Sequence, residues 1–200
     1  RNLMIESRPE FVRQDILREA KTHLQGKALT VAIGLESTND KVRNGPLAKF
    51  IGRKSFDKAL SLLKAEGHRA FVYVFLGAPG LSEAEAYLDA QTSVRELHAL
   101  GVDEIALSCA FVAPGGMLEQ AFRAGSFRPP RLWSIAQLIA QAKRNGWPLS
   151  LGKFDDFPPP VAIPANCGCC DEGINALFDL FRRTNRFEIS DLPDCACRAQ

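Results

Sequence analysis

The sequence lacks an apolar run long enough to cross a lipid bilayer, and its first residues lack the apolar segment of a signal peptide. No G-x-G-x-x-G motif follows a predicted strand, which argues against a dinucleotide-binding fold. No zinc-hydrolase motif is present, and His23, His68 and His98 are predicted to be surface residues in or just after helices. These absences predict a cytoplasmic protein that does not associate with a membrane. They also argue against catalysis by a histidine-based triad.

The composition is that of an ordinary soluble globular protein. The chain has 200 residues, of which 46% are hydrophobic and 24% charged, enough for one sizeable core and a small appendage. A formal net charge of +2 permits a nucleic-acid partner without arguing for one.

The hydrophobic pattern predicts an α/β fold. Short apolar runs, typical of buried parallel strands, alternate with helix-length segments that repeat every 30–40 residues or so. The strands are predicted over residues 3–8, 28–35, 69–76, 102–112 and 148–151. Both a doubly wound sheet and a barrel fit this alternation, and the missing dinucleotide fingerprint favours a partial or complete barrel.

Capping residues and a change of composition set the predicted boundaries. Ser55 is predicted to cap one helix, and the Ser82–Glu85 and Ser134–Gln137 patterns are predicted capping boxes. Residues 38–54 are predicted to be a polar loop. A proline-rich linker begins at Phe154, so we expect one domain over residues 1–153 and a cysteine-rich appendage over 154–200.

Polar residues end the first two predicted strands. Glu6 and Arg8 end one strand, and Glu36, Ser37 and Asn39 end the next. Because neighbouring parallel strands lie about 4.8 Å apart, we expect these side chains to share one rim. A carboxylate there can accept hydrogen bonds from ribose hydroxyls, and an arginine can bind a carboxylate. The alternative is a Glu6–Arg8 salt bridge that serves only packing.

Cysteines form the second candidate site. Five of the 6 cysteines lie in the appendage, on either side of one predicted helix: Cys167, Cys169, Cys170, Cys195 and Cys197. Converging thiolates of this kind bind Zn²⁺ or an iron–sulfur cluster. The spacing is not C-x-x-C, five cysteines exceed a four-ligand site, and disulfides are the alternative. Cys109 stands alone after a strand, where a buried, inert thiol is the more common outcome.

Basic residues form two clusters in the sequence, around residues 123–144 and 182–198. They suit an RNA backbone, although a solvated surface is the default interpretation. The members are Arg123, Arg128, Arg131, Lys143, Arg144, Arg182, Arg183, Arg186 and Arg198.

Several motifs resemble a known family. Residues 6–10 (ESRPE) resemble a signature of radical S-adenosylmethionine (radical SAM) proteins of the Elongator catalytic subunit/MiaB/NifB type, and residues 32–40 are similar to their fourth-strand motif. Residues 81–86 with Asp89, and residues 128–134, resemble the branch that contains the radical enzyme of archaeosine formation in tRNA.

The resemblance implies a partial (βα)₆ TIM-like radical SAM barrel with its strands from the third onward. It implies S-adenosylmethionine on a 4Fe–4S cluster, cleaved to a 5′-deoxyadenosyl radical for tRNA base modification, with a ferredoxin or flavodoxin as electron donor. Glu36 and Ser37 would bind the ribose and methionine region of the cofactor, and Glu6 and Arg8 would line the same pocket. The terminal cysteines would hold zinc or an auxiliary iron–sulfur cluster.

The sequence departs from the family pattern in one important respect. It has no C-x-x-x-C-x-x-C loop, and it begins at Arg1 next to a predicted strand. We therefore expect a carboxyl-terminal fragment that is inactive alone, with the cluster loop upstream. Two alternatives remain open: a radical SAM enzyme for a small molecule or peptide, and a non-catalytic, zinc-stabilised RNA-binding module.

Overall fold

The computed structural model describes residues 3–199, and its centre is a parallel sheet of five strands. The strands are β1 (Leu3–Glu6), β2 (Leu29–Glu36), β3 (Arg69–Leu76), β4 (Glu104–Cys109) and β5 (Leu149–Leu151). Their order in the sheet follows the chain from β1 to β5 without a reversal. A doubly wound sheet reverses its order, so this topology is that of a barrel segment. The predicted α/β class is confirmed.

Helices connect the strands in the predicted order. They are α1 (Gln14–His23), α2 (Asp40–Asn44), α3 (Arg53–Ala65), α4 (Glu83–Ala99), α5 (Met117–Arg123), α6 (Leu132–Asn145) and α7 (Asp171–Thr184). Short 3₁₀ helices cover Pro9–Phe11, Ile189–Asp191 and Ala196–Ala199. In the part of the chain that the structure describes, no helix combines the length and the apolar character needed to cross a membrane.

The two faces of the sheet differ because side chains alternate along each strand. Val31 and Ile33 of β2 point toward the helices and belong to the main core, as do Val72 and Val74 of β3. On the opposite face a much smaller apolar group contains Ala32, Phe71 and Ala106, with Tyr73 packed against it. This second face is therefore only partly filled by side chains.

Two predicted helix caps are wrong. The helix assigned to Ser55 begins at Arg53 with Gly52 as its N-cap, and the helix assigned to Ser134 begins at Leu132. Glu83 of α4 replaces the local cap in the second case, since its Oε1 accepts hydrogen bonds from Arg131 N at 3.0 Å and Ser134 Oγ at 2.5 Å. The capping box at Ser82 is confirmed.

The predicted loop over residues 38–54 contains the helix α2, capped by Asn39. Arg43 of this helix is fully buried, with Nε donating to Ile51 O and Nη1 to Ser37 O, each over 2.9 Å, and with Asp40 as its ion-pair partner. Burial of this charged side chain does not destabilise the fold, because these contacts give the guanidinium N–H groups hydrogen-bond acceptors and a negative partner. The side chain thereby ties the loop to the end of β2.

Histidine placement was predicted correctly for two residues of three. His23 and His98 are exposed, but His68 is buried between α1 and β2. Its Nδ1 accepts a hydrogen bond from Leu29 N over 3.0 Å, and its Nε2 lies 2.9 Å from Leu17 O.

The carboxyl-terminal segment packs on the same core as the sheet. Ile174, Phe178 and Phe181 of α7 are buried and join the main apolar cluster. At the other edge, β1 exposes Leu3 and Met4, at 49% and 47%. The division into domains at residue 153 stays a prediction.

Candidate cofactor pocket and cysteine centre

A cavity of about 1160 Å³ opens on the less filled face of the sheet. Small residues of the strands leave this space, and polar side chains from the strand ends surround it. The lining consists of Glu6, Ser7, Arg8, Ala32, Gly34, Glu36, Lys49, Tyr73, Phe75, Ser108, Asp155 and Asp156. Three of the residues predicted for the cofactor, Glu6, Arg8 and Glu36, therefore meet in one cavity.

Glu36 lies on the same face of β2 as the cavity residues Ala32 and Gly34, at the irregular end of the strand. The pairing with β3 shifts between Ile33 and Glu36, and Glu36 itself has a φ of 69°. A positive φ is unusual for a residue other than glycine and marks the end of the regular strand geometry at this residue. Lys49 Nζ donates a hydrogen bond to Glu36 Oε1 over 3.1 Å. The carboxylate is thus held in place and keeps a second oxygen for another donor.

Glu6 is held by a tyrosine on a more distant strand. The Tyr73 hydroxyl donates a hydrogen bond to Glu6 Oε1 over 2.8 Å. Burial, together with this hydrogen bond and the charge of the two nearby glutamates, raises the pKa of Tyr73 to about 12. Tyr73 therefore remains a neutral hydrogen-bond donor at physiological pH.

Arg8 is oriented by backbone carbonyls. Its Nη1 donates to Lys49 O over 3.0 Å and its Nη2 to Phe50 O over 3.2 Å, while Nε lies 3.3 Å from Glu10 Oε2. The ion pair of Arg8 is with Glu10, so the alternative of a Glu6–Arg8 salt bridge is not what the structure contains.

Ser37 lies outside the cavity lining. It is fully buried, and its Oγ donates to Asp89 Oδ1 over 2.9 Å and accepts from Asn39 N over 3.0 Å. Burial raises the pKa of Asp89 above its ordinary value. These contacts fix the backbone just after Glu36. Ser37 therefore helps to position Glu36 without lining the cavity itself.

Asp155 and Asp156 are lining residues that sequence reasoning missed, because they fall in the predicted linker. Their position depends on α7, since Arg182 donates to Gly152 O through Nε at 3.2 Å and Nη2 at 2.7 Å. The guanidinium of Arg182 also lies 4.8 Å from the ring of Phe154. No local pattern in the sequence predicts this contact between Arg182 and Gly152, which lie far apart along the chain.

The second site contains four of the five predicted cysteine ligands. The ligand atoms of Cys167, Cys170, Cys195 and Cys197 all lie within 4.8 Å of one another. Cys169 is exposed and does not belong to this group. The prediction left one cysteine to spare, and Cys169 is that residue.

Comparison with known proteins gives three informative matches. The chain is 28% identical over 196 residues to archaeosine synthase subunit beta of Methanosarcina acetivorans, covering 98% of the chain and 56% of that protein. It is 30% identical over 143 residues to the same-named protein of Thermococcus kodakarensis, covering 72% of the chain and 44% of that protein. The solved structure of an N-terminally truncated Elp3 from Methanocaldococcus infernus matches with a TM-score of 0.60 and 19% identity, over 92% of this chain and 42% of that one.

The resemblance of this chain to proteins named archaeosine synthase subunit beta is confirmed, and the similarity to Elp3 shows a shared fold. No family model matches the chain. The chain spans about half the length of the curated relatives it matches.

In this chain, the pocket and the cysteine group are separate sites. The lining of the cavity includes no cysteine. Cys170 and Cys197 belong instead to the apolar core on the helix side of the sheet. The four cysteines are therefore not placed to hold an iron–sulfur cluster inside the cavity.

Cys109 and part of the basic clusters serve the fold of this chain. Cys109 is buried, as predicted, and burial raises the pKa of its thiol well above the ordinary value, which disfavours the reactive thiolate. Arg128 donates to Phe122 O and Phe127 O, and Arg131 donates to Cys197 O. Arg182 donates a hydrogen bond to Gly152 O and forms an ion pair with Asp179. The basic clusters are thus less available to RNA than the sequence alone predicts.

Proposed function

We propose that this chain forms the S-adenosylmethionine-binding part of a radical SAM enzyme that modifies a nucleoside in tRNA. The observation that carries the proposal is the convergence of Glu6, Arg8 and Glu36 on one cavity at the ends of two neighbouring parallel strands. Ligands bind at this end of the strands in barrels built from βα units.

The donor set of the cavity suits the cofactor. Glu36 offers a carboxylate oxygen to the ribose hydroxyls, and Glu6, oriented by Tyr73, offers another to a hydroxyl or to the α-ammonium group. Arg8, which lies beside Lys49, is suited to the α-carboxylate. Ser37 acts indirectly in this proposal, because its bonds to Asp89 and Asn39 fix the backbone that follows Glu36.

The cofactor supplies the reactive chemistry, and the chain supplies binding and enclosure. Held by Glu6, Arg8 and Glu36 beside a 4Fe–4S cluster, S-adenosylmethionine would supply radical chemistry that removes a hydrogen atom from a substrate. The cavity lining provides no cysteine for such a cluster. We propose that residues beyond these 200 provide the cluster ligands, with a ferredoxin or flavodoxin as electron donor.

A tRNA substrate is proposed from the relatives rather than from the charge of the surface. Two of them carry the name archaeosine synthase subunit beta, and archaeosine is a tRNA nucleoside. A small molecule or peptide as substrate is the competing proposal within the same enzyme class. Stimulation of cofactor cleavage by tRNA, but not by amino acids or peptides, would separate the two.

Binding of S-adenosylhomocysteine to the full-length protein, measured by isothermal titration calorimetry, tests the pocket without requiring radical chemistry. Glu36→Gln should weaken binding about tenfold or more, because a charged acceptor is replaced by a neutral one. Glu19→Gln is the matched control, since Glu19 is exposed on α1 and does not line the cavity. Equal affinities for the two variants would contradict the assignment of Glu36.

A second function is favoured by one specific observation. The geometry of the four cysteines suits a structural metal, while the cavity offers no cluster ligand, as expected for a zinc-stabilised RNA-binding module without catalysis. A full-length protein that binds tRNA but not S-adenosylhomocysteine would favour this module over the enzyme.

A further inference from the structure

The four cysteine sulfurs already have the spacing of a tetrahedral metal site. The Sγ–Sγ distances are 3.9 Å for Cys167–Cys170, 3.5 Å for Cys167–Cys195, 3.6 Å for Cys170–Cys197 and 3.5 Å for Cys195–Cys197. Four thiolates around Zn²⁺, each with a Zn–S bond of about 2.3 Å, are separated by about 3.8 Å along the edges of the tetrahedron. Four of the six edges of the observed group are thus close to this length, and the other two are no longer than 4.8 Å.

The same distances argue against the other uses of clustered cysteines. A disulfide has an S–S bond of about 2.0 Å, and all of these cysteines are free. A multinuclear iron–sulfur cluster distributes its thiolates over several iron atoms, which holds thiolates of different irons further apart. Mutual proximity of all four sulfurs, within 4.8 Å, therefore fits a single ion.

Neighbouring groups are arranged to stabilise thiolates. Trp133 Nε1 donates to Cys197 Sγ over 3.1 Å, and Asn166 Nδ2 donates to Cys170 Sγ over 3.4 Å. Donors of this kind commonly surround metal-bound ligands and orient them. Cys170 and Cys197 are also buried, at 3% and 7% exposure, so the centre is closed on the side of the core.

We propose that Cys167, Cys170, Cys195 and Cys197 bind one Zn²⁺ ion as a closed structural site, separate from the cofactor pocket. All four coordination positions are filled by protein sulfur, so the ion has no open position for catalysis. Cys169 is not a ligand. The site does not depend on the proposed enzymatic function, because it uses none of the cavity residues.

The position of the centre gives the ion a defined structural role. Cys167 and Cys170 precede α7, and Cys195 and Cys197 follow it, so the metal joins the two ends of the segment that carries this helix. Arg182 of α7 in turn holds Gly152 and Phe154, directly before the cavity residues Asp155 and Asp156. The zinc site thus anchors the helix that supports one wall of the cavity.

Zinc content of the full-length protein, measured by inductively coupled plasma mass spectrometry after dialysis against a chelator, tests the proposal. The wild type should retain one zinc per chain. Cys167→Ser and Cys195→Ser should each lower zinc retention more than about tenfold, since losing a ligand costs at least as much as losing an outer hydrogen-bond partner. Cys169→Ser is the matched control and should retain one zinc. Loss of zinc from Cys169→Ser equal to that from Cys195→Ser would overturn the ligand set.

X-ray absorption at the zinc edge identifies the ligand atoms in the wild-type protein, so it tests the proposal even if the variants fail to fold. Four sulfur neighbours at about 2.3 Å, with no nitrogen or oxygen ligand, are expected. Co²⁺ in place of zinc should give the visible absorption bands of a tetrahedral thiolate site. A protein without zinc, with iron at this centre, or with Cys167 and Cys195 joined in a disulfide by mass spectrometry, would overturn the proposal.

Discussion

Lys49 Nζ donates a hydrogen bond to Glu36 Oε1 over 3.1 Å, and the pair lies directly against Gly34. A Cβ atom added at position 34 would lie 2.9 Å from Glu36 Oε1 and 3.1 Å from Lys49 Nζ. The absence of a side chain at this position of β2 therefore leaves room for the carboxylate at the centre of the proposed cofactor site.

Gly34→Ala should weaken S-adenosylhomocysteine binding while leaving the protein folded. The added methyl group displaces the ends of two flexible side chains rather than backbone, so the loss should fall mainly on affinity, by about tenfold, with little loss of stability. Calorimetric titration and thermal unfolding measure the two effects. Gly52→Ala is the control, because its Cβ would make only an ordinary 3.8 Å contact with Ser55 Oγ. Unchanged affinity in Gly34→Ala would contradict the placement of the ligand beside Glu36.

Glu6→Gln should lower the pKa of Tyr73 toward the ordinary tyrosine value of 10.0. The carboxylate at position 6 stabilises the protonated hydroxyl, whereas a neutral amide lacks the charge that opposes tyrosinate. Tyrosinate absorbance, taken as the difference between each protein and its Tyr73→Phe counterpart, isolates this group. Because burial is the first cause of the raised pKa, the shift should be partial. An unchanged titration curve would show that Glu6 does not act on Tyr73.

Asp89→Asn should become more stable relative to the wild type as the pH rises. Burial raises the pKa of Asp89 above 3.8, so the folded protein holds this proton more tightly than the unfolded chain. Wild-type stability from this group is present at low pH and decreases as the pH rises through the folded pKa, whereas asparagine is insensitive to pH. Urea unfolding at several pH values from about 4 to 7 measures the difference.

Asp15→Asn provides a control of opposite sign for this experiment. A hydrogen bond from Arg13 lowers the pKa of Asp15, so its contribution is present above the ordinary pKa and is lost on acidification. The same trend with pH in both variants would contradict the account of Asp89.

His68→Ala should destabilise the protein by about 1–3 kcal/mol, because the buried N–H of Leu29 loses its acceptor. His98→Ala removes an exposed histidine from α4 and should change the free energy of unfolding by less than about 0.5 kcal/mol. Denaturant midpoints of the two variants give the comparison. Similar midpoints for the two variants would contradict the buried, hydrogen-bonded position of His68 and would agree with the surface position that the sequence predicts.

Much of the fold follows from local sequence patterns. The strand over residues 69–76 is found where its aromatic and β-branched residues predict it, and Ser82 caps α4 through the predicted capping box. The errors arise where a distant residue takes over a local role. Glu83 accepts hydrogen bonds from Arg131 N and Ser134 Oγ at the start of α6, so the Ser134 pattern is not used as a cap.

The candidate sites follow the same division. Glu6 and Glu36 were predictable because the ends of adjacent parallel strands must be neighbours. Asp155 and Asp156 were not, because their position depends on the contact of Arg182 with Gly152 across the fold. The cysteine pattern predicts a metal site, but only the three-dimensional structure separates Cys169 from the four converging sulfurs.

Formation of 5′-deoxyadenosine tests the central claim most directly. The full-length protein, with its iron–sulfur cluster reconstituted anaerobically, would be incubated with S-adenosylmethionine, a reductant and tRNA, and the product quantified by liquid chromatography and mass spectrometry. The proposed function predicts 5′-deoxyadenosine in amounts that rise when tRNA is added and fall sharply in Glu36→Gln, but not in Glu19→Gln. No 5′-deoxyadenosine from a protein that contains its cluster, with or without tRNA, would contradict the proposal that this cavity belongs to a radical SAM enzyme.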